Sequence, residues 1–183
     1  MKDPINSYFA GKITANCWRH TLVDGFKCYD NESLCQGFIK SAINGVHNYV
    51  GPFFIRCDHS CSHVSGHHGM HEGCSGGEIP SGRAVAFHNC ISNIHHADVV
   101  FAWIDSCDCY GTIAEVGMAF GLGKLISIGV SHSLGAQKDF DRDLWFLLKM
   151  STLGIVYAKD AKAAFNQVLP KIETFGCREA VRN

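Results

Sequence analysis

Ala97-Asp98-Val99-Val100-Phe101-Ala102-Trp103-Ile104 runs directly into Asp105-Ser106-Cys107-Asp108-Cys109-Tyr110-Gly111-Thr112-Ile113-Ala114-Glu115, and this stretch decides the fold. Its first part is apolar without alternation. A half-buried strand alternates polar and apolar residues, whereas a strand in the middle of a parallel sheet is covered on both faces and reads as an unbroken apolar run. A polar turn with a glycine follows, and helical spacing is expected from Thr112 to about Leu122. The unit is strand, turn, helix.

The same alternation extends in both directions. Downstream, residues 125–130 read as a strand, 139–150 as a helix and 154–157 as a short strand. A last helix is expected over 160–174, bent or broken at Pro170. Upstream, residues 7–13 read as a strand entering a glycine turn, 16–22 as a short helix and 31–46 as a second helical segment. Residues 48–55 read as a strand whose pairing Pro52 limits, and 82–96 as a helix. Strands alternating with helices imply a parallel sheet covered on both sides. The expectation is an α/β fold: one Rossmann-like or flavodoxin-like three-layer sandwich with about five parallel strands, occupying residues 1–183 as a single domain.

Composition narrows the function classes. The chain has 183 residues, 46% hydrophobic and 18% charged, with a formal net charge of −1. That is globular composition. With no run of Lys or Arg, binding to a nucleic-acid polymer has no electrostatic basis. No apolar stretch is long enough to span a bilayer, and Met1-Lys2-Asp3-Pro4 lacks the pattern of a signal peptide. A soluble, cytoplasmic protein with no membrane partner is expected, and its ten cysteines are expected to be mainly reduced thiols.

In open parallel sheets, ligands bind beyond the carboxyl ends of the strands. The turn after Ile104 lies at such an end and supplies Asp105, Asp108, Gly111, Thr112 and Glu115. A carboxylate here has the chemistry to attack an anomeric carbon while a second acid protonates the departing base. Thr112-Ile113-Ala114-Glu115 equally fits a capping box, in which Thr caps the helix and Glu reaches back to the cap's N–H. Tyr8 likewise has two readings: a core residue with a tethered hydroxyl, or a partner of the carboxylate. Lys12 and Arg19 are either solvated charges or contacts for a substrate phosphate. Asp98 reads as a structural residue at a strand edge, and Phe101 and Trp103 as core.

Tyr8-Phe9-Ala10-Gly11, the strand from Ala97 to Ala102, and Asp108-x-Tyr110-Gly111-Thr112-x-x-Glu115-x-Gly117-x-Ala119 followed by Gly123-Lys124 occur in that order. Together they resemble the nucleoside 2-deoxyribosyltransferase-like family, which includes 2′-deoxynucleoside 5′-monophosphate N-glycosidases. The resemblance implies that Glu115 attacks C1′ to form a glycosyl ester, that Tyr8 holds Glu115 through its hydroxyl, and that Gly11 lies against substrate. It implies a retaining mechanism needing no cofactor, and a homodimer or larger homo-oligomer. Family members carry an acidic residue one or two helical turns before the Ala-Asp strand start. Here that place falls at Asn89-Cys90, so Asp105 or Asp108 is left to act as the acid. The expected site is Glu115, Tyr8, Asp108 and Asp105 for catalysis, with Gly11, Lys12, Arg19, Cys90, Cys109, Gly111 and Thr112 lining the substrate.

Residues 57–81 form a Cys-, His- and Gly-rich segment that reads as a long loop. Cys57, Cys61 and His63 with His71 or Cys74 could close a structural zinc shell. The spacing is not that of a paired Cys-x2-Cys knuckle, and a polar lid or small buried cysteines read equally well. Three functions are therefore weighed. One is cleavage or transfer of the N-glycosidic bond of a nucleoside or nucleotide, with NAD glycohydrolase-type activity as a variant. The others are a non-catalytic nucleotide-binding module and a protein organised around a zinc-binding loop.

Overall fold

The computed structural model describes residues 4–14, 17–23, 41–43, 47–52 and 80–179. Within them, strands β1 (Ile5–Gly11), β2 (Ser41–Ile43), β3 (His47–Gly51), β4 (Val99–Ile104), β5 (Leu125–Ser131) and β6 (Gly154–Ala158) form one sheet. The helices are α1 (Arg19–Leu22), α2 (Pro80–His96), α3 (Tyr110–Gly121), α4 (His132–Gly135), α5 (Phe140–Lys149) and α6 (Ala161–Glu179). The sheet order is β2-β3-β1-β4-β5-β6. The strands from β3 to β6 are mutually parallel, and β2 adds an antiparallel edge. This is the expected α/β three-layer architecture of the Rossmann-like or flavodoxin-like kind, with five parallel strands.

β4 occupies the centre because its sequence leaves it no other place. All six of its residues are buried, and the strand period of two sends them to opposite faces. Val100, Ala102 and Ile104 join Tyr8, Ala10, Ile126 and Ile128 beneath α2, α3, α4 and α5. Val99, Phe101 and Trp103 join Phe9, Phe165 and Val168 beneath α1 and α6. On that second face the Phe9 ring meets Phe101, Tyr49 and Phe165 edge-on, with centroids 5.9, 5.6 and 4.9 Å away. Such pairs add about 0.5–1.5 kcal/mol each beyond area burial.

Several boundaries differ from the sequence reading. Helix α3 begins at Tyr110, two residues before Thr112, and Cys109 is its N-cap without a side-chain hydrogen bond. Its far end closes at Gly123-Lys124. Gly123 adopts φ 68°, and the amides of Gly123 and Lys124 donate to the carbonyls of Phe120 and Ala119, both at 3.0 Å, the pattern of a Schellman cap. Residues 41–43, expected in a helix, pair with β3 instead; residues 31–40 and 44–46 lie outside the described residues. β1 ends at Gly11 rather than Ile13, and β3 ends at Gly51, before Pro52. α6 is not broken at Pro170 but runs on to Glu179. Its buried residues Ala164, Phe165, Val168 and Ile172 lie on both sides of the proline, so packing holds the helix before and after it. The Cys/His segment, with Cys57, Cys61, His63, His71 and Cys74, lies outside the described residues, apart from Pro80 and Ser81, which open α2.

Candidate active site

The order of the parallel strands makes one crevice special. The chain leaves β1 for β3 on one side and later returns for β4 on the other. The connections therefore diverge between the carboxyl ends of β1 and β4, the kind of switch point at which open α/β sheets bind ligands. Tyr8 and Gly11 come from β1, and the segment from Asp105 to Glu115 follows β4.

Tyr8 points from β1 toward the α2/α3 layer and is fully buried. Two features place its ring. A β-bulge between Ser7 and Tyr8 shifts the pairing so that Tyr8 lies opposite Gly51. Gly51, at φ 138°, holds a backbone conformation that side chains rarely adopt, and a Cβ there would crowd Tyr8 Cε2 and Asn93 Nδ2, both at 3.0 Å. The phenol then donates to Glu115 Oε1 at 2.5 Å.

Glu115 stands on the second turn of α3. Because the helix starts at Tyr110, Thr112 is an interior residue with 3% of its surface exposed, and the Glu115 carboxylate turns to Tyr8. The capping-box reading is therefore not realised, and the carboxylate is held by a side chain 107 residues away. Burial raises the Glu115 pKa above the ordinary carboxylate range; the Tyr8 hydrogen bond and then the Arg19 charge oppose the rise. Burial also raises Tyr8 well above the usual phenol range, reinforced by the Glu115 charge and by Cys90. The Cys90 thiol, on α2, is pushed up to about 11 by burial and by Glu115, with a hydrogen bond to Tyr8 and the Arg19 charge opposing. Cys90 thus borders both partners of the Tyr8–Glu115 bond.

Arg19 has an interior role instead of an open one. It is fully buried, and it donates to Phe9 O at 2.9 and 2.7 Å and to Gly11 O at 2.8 Å. A longer bond of 3.2 Å reaches Lys12 O. Its guanidinium lies 4.5 Å from the centre of the Trp18 ring. Arg19 therefore fixes the carboxyl end of β1. Gly11 is needed in the same place, because a Cβ would meet Trp18 Cζ2 at 3.0 Å and Trp103 O at 3.2 Å.

Lys12 and Asp108, read separately from the sequence, pair with each other. Lys12 Nζ donates to Oδ1 and Oδ2 of Asp108 at 2.8 and 2.7 Å, bridging the β1 and β4 ends at the exposed rim. The Lys12 hydrogen bond holds Asp108 below the usual carboxylate range, and the same bond raises Lys12. An ionised Asp108 is a poor proton donor. Asp105 is exposed beside it. Cys109 is buried, and burial pushes its thiol up to about 11. Gly111 is exposed, with open space over its Cα. Asp98 has the structural role expected: its Oδ2 accepts from Asn6 N at 2.7 Å, and its own N–H donates to Asn6 O.

Sequence reasoning missed Gly51, Trp18 and the inward turn of Arg19. A glycine inside a strand pattern signals close approach, so Gly51 was open to discovery; the other two depend on the folded turn. The described cysteines Cys17, Cys90, Cys107 and Cys109 are free thiols. Among the described residues no group of three or more His, Cys, Asp or Glu could hold a metal ion, and no helix is long and apolar enough to cross a membrane. No family model matches the chain, and no curated protein matches it.

Proposed function

We propose that this protein cleaves or transfers the N-glycosidic bond of a nucleoside or nucleotide, with Glu115 as the attacking carboxylate. The observation that carries the reading is the 2.5 Å bond from Tyr8 to Glu115 at the switch point of the sheet. It fixes Oε1, and the other oxygen, Oε2, is the proposed nucleophile. In the reaction, Oε2 attacks C1′ of the sugar, the C1′–N bond breaks, and a glycosyl ester forms on Glu115. Water or a second base then takes the sugar with overall retention. Positioning the nucleophile against C1′ supplies much of the acceleration, and the raised pKa keeps the carboxylate reactive.

The test is a chromatographic panel of deoxynucleosides, their 5′-monophosphates, ribonucleotides and NAD, each with and without an acceptor base. Free base is expected from at least one of them. Glu115→Gln is expected to reduce release by about a thousandfold or more while the circular dichroism spectrum stays unchanged. Release that persists in this variant would end the proposal.

A further inference from the structure

The groups around the Glu115 carboxyl differ in what they do with a proton. The Tyr8 O–H is already directed at Oε1. Cys90 brings a thiol that stays protonated to about pH 11, too weak an acid to share its proton well near neutrality. At the rim, both oxygens of Asp108 are engaged by Lys12. Asp105 is exposed at the rim, so among the described residues the arrangement is rich in nucleophile and poor in acid. Neutral purines and pyrimidines leave a sugar readily only when protonated. A pyridinium ring needs no proton, because the bonding electrons neutralise its own positive charge.

We propose that the preferred substrate class is the pyridinium N-riboside, of which NAD and nicotinamide riboside are examples; the inference rests on Glu115 being the nucleophile. Glu115 attacks C1′, the C1′–N1 bond breaks, and its electron pair passes to the ring nitrogen, so nicotinamide departs neutral. Water then attacks C1′ of the ester, Glu115 leaves as carboxylate, and one proton goes to solvent. The charges fit as well. A cationic ring beside a partly desolvated carboxyl favours its ionised form, so binding the substrate prepares the nucleophile.

The wild-type protein suffices as the test. Its kcat/KM is measured for NAD and nicotinamide riboside against adenosine, inosine, deoxyadenosine and their 5′-monophosphates, with a pH profile for NAD. The expected result is at least about a hundredfold preference for the pyridinium substrates, the low end of what a general acid contributes. The NAD profile is expected to rise through the ionisation of Glu115 and then stay flat to about pH 9. Equal or faster cleavage of neutral nucleosides, or a falling limb for NAD, overturns this inference and leaves the glycosidase reading standing. Absence of base release from every substrate, or release that survives Glu115→Gln, overturns both.

Discussion

The phenol of Tyr8, on the first strand, and the carboxylate of Glu115, on the helix after the central strand, share a 2.5 Å hydrogen bond. The bond does two things at once. It fixes one carboxylate oxygen, and it opposes the burial that raises the Glu115 pKa. Tyr8→Phe separates these from mere packing, because the ring remains. A hydrogen bond to a charged group contributes about 1.5–3 kcal/mol. Turnover is therefore expected to fall roughly ten- to hundredfold. The rising limb of the pH–rate profile should also move to higher pH, since the group that favours the ionised form is gone. An unmoved limb would mean that Tyr8 only packs.

Glu115→Gln keeps an acceptor for Tyr8 and removes the charge. The folded pKa of Glu115 is raised above an unfolded value of about 4.3. A raised carboxyl contributes stability that is fully present below the unfolded pKa and lost as pH rises through the folded one. Wild type and variant should therefore be similarly stable near pH 4, with the variant the more stable at pH 7–8. Each tenfold displacement of the acid constant is worth about 1.4 kcal/mol. Denaturant melts at both pH values measure the difference, and a variant less stable at pH 8 than at pH 4, relative to wild type, contradicts it.

The fold was legible where one environment alone could satisfy the residues. The run Val99–Ile104 has its only stable home inside a parallel sheet, and the alternation around it then follows. The start of α3 is hidden in the sequence because Thr112 and Glu115 have the chemistry of a cap, whereas the N-cap, Cys109, makes no capping bond and so carries no signal. β2 is three residues long, shorter than any pattern can reveal, and is held by backbone pairing to β3. Within the site, the identity of Glu115 and Tyr8 was readable and their bond was not. It depends on the bulge at Ser7/Tyr8 and the bare Cα of Gly51, both properties of strand register. Lys12 and Asp108 were readable as charges, but their pairing follows only from β1 and β4 being neighbours.

Arg19 gives a third expectation, about stability. Its guanidinium satisfies the carbonyls of Phe9 and Gly11 together. Arg19→Ala strips two buried acceptors of their donor, at about 1–3 kcal/mol each. Arg19→Lys should rescue little, since an ammonium cannot reproduce the planar fork. Both variants should lose about 2–6 kcal/mol in denaturant unfolding, and they should lose turnover as the β1 end loosens around Gly11. Full rescue by lysine would show that charge alone matters there.

The last expectation concerns acid sensitivity far from the nucleophile. His47 has 1% of its surface exposed, and its Nδ1 lies 2.8 Å from Ser7 Oγ, tying β3 to β1 near the strands' amino ends. Burial lowers its pKa, and the Glu173 charge opposes this only in part. A histidine with a lowered folded pKa is kept neutral in the native state, so stability is present above the unfolded value of about 6.5 and declines as pH falls from there toward the folded pKa. His47→Asn removes the titration while keeping a polar side chain near Ser7. Because part of a buried bond is lost, the variant should be about 1–3 kcal/mol less stable at pH 8. The gap should narrow as pH falls below about 6.5, because only the unfolded wild type then takes up a proton at this position. Urea unfolding at pH 8, 6.5 and 5 reads the gap directly, and a gap that stays constant across the three would assign the acid response to other groups.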